Sequence, residues 1–130
     1  MRIQFVDTDA SGRIHYTSTF RHFETAEMEF MRHLGCHYNH MEKGGVAYPR
    51  VRVECDYLAA LTYDDEVEVG VSVERVGEKS FTLAFDVQHL GRTAARGKIV
   101  IAAMDRATGK SCALPRDLVE KLEGAQACVS

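Results

Sequence analysis

The sequence predicts an α+β fold in two layers, one long helix laid across the concave face of a curved antiparallel sheet. Three observations lead there. One long stretch, residues 16–34, carries apolar residues at helical spacing. Four later segments have the pattern of strands. The links between those four are short, and short links join antiparallel neighbours.

The first residues, Arg2 to Val6, read as a short strand, and the polar stretch Asp7 to His15, with Gly12 inside it, reads as a loop. From Tyr16 to Leu34 the period becomes helical. Phe20, Phe23, Glu27, Phe30, Met31 and Leu34 fall at i, i+3, i+7, i+10, i+11 and i+14, an apolar stripe interrupted once by Glu27. Gly35 follows directly, in the usual place of a helix-ending glycine. Residues 36–45 read as loop.

Val51, Val53, Cys55 and Tyr57 alternate with Arg50, Arg52, Glu54 and Asp56. Val67, Val69, Val71 and Val73 alternate with charged or small residues, as do Phe81, Leu83, Phe85 and Val87. Residues 94–105 are more continuously apolar. Period two means strands with one buried face. The breaks at Tyr63-Asp64-Asp65, Gly77-Glu78-Lys79, Gly91-Arg92-Thr93 and Ala107-Thr108-Gly109-Lys110 are turn-like. Pro115 to Leu122 reads as a short final helix with proline near its start. The far face of the sheet carries many charges and is expected to face water. The sheet edges are left unpaired, and pairing with another subunit would resolve them.

The chain has 130 residues, which fits one domain over 1–130; 45% are hydrophobic and 27% charged, an ordinary globular balance. The net charge of −3 argues against a broad electrostatic affinity for nucleic acid or an anionic membrane surface. No apolar run approaches the roughly 18 residues of a membrane-spanning helix. The segment Met1 to Asp7 lacks the apolar core of a signal peptide, so a cytoplasmic protein is expected. The cysteines, at 36, 55, 112 and 128, form no CxxC pair and read as reduced thiols, with Cys55 in the core. Cys36-His37-Tyr38-Asn39-His40 has no second cluster to complete a tetrahedral metal site and reads as a polar loop. No nucleotide-cradling glycine motif occurs, and no metal or cofactor is implied.

The chemically informative segment is Val6 to Tyr16. Two acids and a glycine lie in a loop directly before the long helix. A helix N-terminus offers free N–H groups and the positive end of the dipole, which would polarise a carbonyl. A carboxylate beside it could attack that carbonyl or activate water. On this reading Asp9 and the backbone amide of Tyr16 form an acyl-transfer site. The plainer reading is that an aspartate before a helix caps it.

Asp7-Thr8-Asp9-Ala10-Ser11-Gly12, followed by Tyr16, Arg21 to Ala26 and Glu29-Phe30, resembles the start of the hotdog-fold acyl-CoA thioesterases. The closest subgroup is the 4-hydroxybenzoyl-CoA thioesterase-like one, with its D-x-D-x-x-G-x-x-x-[YH] signature. The likeness continues through Tyr57-Leu58, Tyr63-Asp64-Asp65, Lys79-Ser80-Phe81, the turn Asp105 to Lys110, and Leu114-Pro115. It implies a long central helix wrapped by a curved antiparallel sheet, an acyl- or aroyl-CoA substrate, and a homodimer or homotetramer. Asp9 matches the catalytic carboxylate, as nucleophile or general base. Asp7 reads as a loop organiser, Gly12 as the glycine of the tight turn, and Tyr16 as the position whose amide points at the thioester carbonyl. Many relatives have His at Arg13 and Asn at His15; here His15 is expected to hold the loop or line the pocket. Lys79, Arg92 and Arg96 are candidates for holding the CoA phosphates.

Glu24 and Glu27, on or beside the helix stripe, are weaker candidates, because other hotdog lineages use a helix carboxylate. His22 and His33 read as polar residues of the outer helix face, with no chemistry. Two other functions stay open: a hotdog dehydratase or hydratase of hydroxyacyl thioesters, and an acyl-CoA-binding protein without catalysis.

Overall fold

The apolar stripe and the apolar strand faces meet in one core. The computed structural model describes residues 1–36, 38 and 44–128. Helix α1 spans Ser18–His33 and ends at Gly35, whose φ of +79° is the left-handed conformation expected of a helix-ending glycine. Then come β1 (Val46–Ala47), β2 (Arg50–Tyr57), β3 (Glu68–Val76), β4 (Ser80–His89), β5 (Arg92–Ala102), β6 (Met104–Asp105) and α2 (Arg116–Cys128). The main sheet has the order β2-β5-β4-β3, antiparallel throughout, and β1 pairs with β6 in a small separate ladder.

Phe81, Leu83, Phe85 and Val87 of β4 are buried, with Ile99 and Ile101 of β5 in register beside Leu83 and Phe81. On them lie Phe23, Glu27 and Met31 of α1, also buried. The Phe23 ring stacks on Phe85, centroids 4.7 Å apart. Gly97 makes this approach possible. A Cβ there would strike the Phe23 ring and come within 2.6 Å of the Glu54 carbonyl oxygen.

Several expectations are corrected. Residues 2–6 do not form a strand. Arg2 makes a single bridge to Glu66, and Phe5–Asp7 is a 3₁₀ turn. The cause is local: the Asp7 carboxylate accepts the Gln4 N–H while the Asp7 N–H bonds the Gln4 carbonyl, which winds the chain up. The final helix runs on to Cys128, past Gly124, where the sequence pattern stopped it at Leu122. Cys55 is half-buried and packs against the core, and among the described side chains Cys36 is the buried thiol; Cys36, Cys55 and Cys112 are all free. His22 is buried, not on the outer face.

Strand β2 departs most from its pattern. Its register shifts between Arg50 and Arg52, so Val51 is a bulge and Arg50 joins Val53, Cys55 and Tyr57 on the helix-facing side. From there Arg50 pairs with the buried Glu27 and donates to the Tyr48 carbonyl oxygen at 2.9 Å; its guanidinium also lies over the Tyr38 ring. This explains a glutamate in the apolar stripe, since a buried carboxylate needs a cation beside it. β2 is also an edge strand, and Val51 and Val53 remain 61% and 42% exposed. The tract Cys36 to His40 lies largely outside the described residues.

Candidate active site

The loop before α1 is a small hairpin. Thr8 bridges Ile14, the Asp9 N–H donates to the Arg13 carbonyl oxygen at 3.0 Å, and the His15 N–H donates to the Asp7 carbonyl oxygen at 2.7 Å. At its tip the Gly12 N–H closes a turn onto the Asp9 carbonyl oxygen, with Gly12 at φ +81°. A Cβ at Gly12 would meet nothing within 4 Å, so it is the backbone conformation that calls for glycine.

The two acids of the signature sit in opposite environments. The Asp7 side chain is 3% exposed. Its carboxylate takes the Gln4 N–H at 2.8 Å, the Arg21 guanidinium, and His22 Nε2 at 3.2 Å. Burial pushes this carboxyl up, but the Gln4 N–H, with His22 and Arg21, outweighs it and holds the group below its ordinary value. Asp9 is exposed. The Ser11 hydroxyl and N–H both donate to its Oδ1, and they keep it a carboxylate, below the ordinary range, with His15 and Arg13 adding to the effect.

Neither acid caps α1, and its first turn contains no acidic residue. No side chain caps the helix; just before it, His15 Nδ1 accepts the Thr17 N–H at 3.1 Å and lies 2.7 Å from the Thr17 hydroxyl, while its ring stacks on Tyr16. His15 is thus bonded within the loop, at Thr17. The His15 carbonyl oxygen accepts the Ser18 N–H at 2.9 Å. In a trans peptide the next N–H points the opposite way. The Tyr16 N–H thus points out of the helix toward the loop side, and it has no acceptor among the described residues. A carboxylate and an unpaired amide at a positive helix end are the parts needed to attack and polarise a carbonyl.

Tyr57 was not singled out by the sequence. Its hydroxyl donates to the Tyr16 carbonyl oxygen and ties edge strand β2 to the start of α1. The signal for it was its place on the helix-facing side of β2. The three basic candidates are all exposed but are not brought together. Lys79 precedes β4 and Arg92 follows it, so the ten residues of the strand put roughly 30 Å between them. Arg96 lies on the outer sheet face, in register between Asp56 and Asp86. Glu24 and His33 are exposed.

A helix wrapped by an antiparallel sheet, with this loop at the helix N-terminus, is the arrangement of a hotdog thioesterase. Residues 3–122 match the family described as the thioesterase-like superfamily, and the chain belongs to it. A crystal structure of an Aquifex aeolicus protein is 31% identical, covers 94% of this chain and 95% of its own, and superposes with a TM-score of 0.87. A 1,4-dihydroxy-2-naphthoyl-CoA hydrolase from Synechococcus sp. strain CC9605 is 27% identical over 95% of this chain and 87% of its own length. The acyl-CoA thioesterase YbgC of Haemophilus influenzae is 26% identical, over 91% and 88%. The chain is accordingly a thioester hydrolase. Among the described residues no helix is long and apolar enough to cross a membrane.

Proposed function

We propose that this chain is a single-domain cytoplasmic enzyme that hydrolyses an acyl- or aroyl-CoA thioester, with Asp9 as nucleophile or general base. The observation that supports the reading is that one short loop before α1 holds both the exposed Asp9 carboxylate and an outward-pointing Tyr16 N–H with no acceptor among the described residues. The thioester carbonyl oxygen receives the Tyr16 N–H, and charge developing on it is stabilised by the helix end. Asp9 either attacks the carbonyl carbon, expelling the CoA thiolate and leaving an anhydride for water to cleave, or takes a proton from water as water attacks. The products are the same: free acid and CoA thiol.

A hydratase needs a histidine–acid pair open to substrate. The His22–Asp7 pair is closed off, with both side chains over nine-tenths buried, which favours hydrolysis over hydration. His15 spends its Nδ1 on Thr17.

The working form proposed is a homodimer, alone or doubled to a tetramer. The open edge of β2, with Val51, Val53, Tyr57 and Leu58 exposed along it, lies beside Tyr16 and leaves the site uncovered on that side. Antiparallel self-pairing about Val53 would set Arg52 of each chain opposite Glu54 of the other, a complementary arrangement. Lys79, Arg92 and Arg96 are proposed to steady the CoA phosphates. Given the span of β4, Lys79 and Arg92 would serve different sites of the dimer.

Thiol release from a panel of acyl- and aroyl-CoAs tests the reading. Asp9→Asn should lower kcat at least about a hundredfold with folding intact. Near-normal turnover in that variant would sink the assignment. Hydration of an enoyl thioester without thiol release would favour the hydratase, and tight binding without turnover the non-catalytic binder. In the same panel Lys79→Ala should raise KM for the CoA thioester but not for the pantetheine thioester, which lacks the nucleotide; equal effects on both would remove Lys79 from the phosphate site.

A further inference from the structure

His22 is a buried histidine for which the proposed mechanism has no use. We infer that it is a positioning residue, acting through Asp7 to hold His15 and, through the His15 Cα, the Tyr16 amide that follows it; the inference rests on the reading above. His22 lies near the start of α1 with its side chain 9% exposed, and its Nε2 is 3.2 Å from Asp7 Oδ2. A carboxylate only accepts, so Nε2 carries the hydrogen. Nδ1 is then buried with no partner. An unpaired buried nitrogen works against the stability of the fold, and an apolar side chain of similar volume would avoid that cost. What the histidine contributes in return is its bond to Asp7.

Asp7 is the joint between helix and loop. Its carbonyl oxygen holds the His15 N–H, and its carboxylate holds the Gln4 N–H. The His15 N–H belongs to the peptide unit just before the one that carries the Tyr16 N–H, and the two units are joined at the His15 Cα, so a shift of Asp7 that moves His15 is passed on to the next amide. Two side chains of α1 fix the carboxylate, Arg21 on Oδ1 and His22 on Oδ2. Arg21 is 58% exposed and reaches in from solvent. His22 is the interior arm, the one fixed by packing. An amide displaced by a fraction of an ångström still binds substrate but stabilises the transition state less well.

The test compares His22→Leu with His22→Gln. The leucine variant removes the donor, and the glutamine variant keeps an N–H within reach of Asp7. His22→Leu should fold, with its melting temperature unchanged or raised. Its kcat should fall about tenfold with KM within about twofold of the parent, the signature of an interaction felt in the transition state. His22→Gln should regain most of kcat. In parallel, the ¹⁵N order parameter of the Tyr16 amide should drop in the leucine variant and recover in the glutamine variant. A leucine variant with full kcat and an unchanged order parameter would overturn the inference. So would a loss of kcat that follows a loss of stability and is not restored by glutamine. Should the parent release no thiol from any substrate, the hydrolase reading fails, and the order parameter alone still decides whether His22 holds the amide.

Discussion

On the side of α1 that faces β4 and β5, the chain is closed. Phe23, Glu27 and Met31 are buried, Phe23 stacks on Phe85 over Gly97, and the charge of Glu27 is met by Arg50. On the side that faces the loop and the edge of β2, it is open. Asp9, Tyr16, Tyr57 and Val53 are all exposed. The two sides meet at one helix, the closed side along its buried stripe and the open side at its N-terminus. The closed side meets its buried charge within one chain. The open side leaves a carboxylate, an amide and a row of strand backbone groups for something else to complete, which is what a site shared between copies requires.

The sharpest way to break the comparison is to open the closed side. Arg50→Met strips Glu27 of its cation and should cost about 3–5 kcal/mol in urea denaturation, because a lone buried charge remains. Adding Glu27→Leu removes that charge and should recover most of the loss. A double variant as unstable as Arg50→Met would mean that the pair is not what Arg50 contributes.

On the open side, Val53→Lys puts a charge on the free edge of β2. Association should weaken at least about tenfold by sedimentation equilibrium, with chain stability nearly unchanged, as for one well-placed interface residue. Self-association unaffected by this change would move the proposed interface elsewhere.

Asp7 joins the two sides, and its carboxyl has a lowered folded-state pKa. Its contribution to stability is therefore full above the unfolded value of about 3.9 and is lost as pH falls through the lower folded value. Asp7→Asn should flatten the acid limb of stability against pH; an identical limb would show that the carboxylate is not linked to folding.

The smallest effect lies at the β4–β5 turn. Leu90 is 84% exposed and has φ +51°, next to Gly91 at +75°. Both central residues of this tight hairpin are left-handed, where leucine is strained and asparagine is not. Leu90→Asn should stabilise the chain by about 0.5–1 kcal/mol in thermal unfolding.

The sequence by itself determined the long helix and the four long strands, where the main turns fall, and which loop carries the acids. Those follow from local spacing: the period of the stripe from Phe20 to Leu34, the alternation in residues 67–87, and a glycine where φ is positive. The proposal of Asp9 and Tyr16 rests on the same ground, as two residues of one short loop. Tertiary structure alone decided what depends on partners far along the chain. Arg50 changed faces because a bulge at Val51 let it reach Glu27, 23 residues earlier. His22, polar and so assigned to the outside, turned inward because Asp7, 15 residues before it, offered a buried acceptor. Residues 2–6 had the composition of a strand, and a single carboxylate bond wound their end into a turn. Spacing encodes periodicity along the chain, but not which distant group meets a buried charge, and burial leaves a charged or polar side chain little choice but to find one.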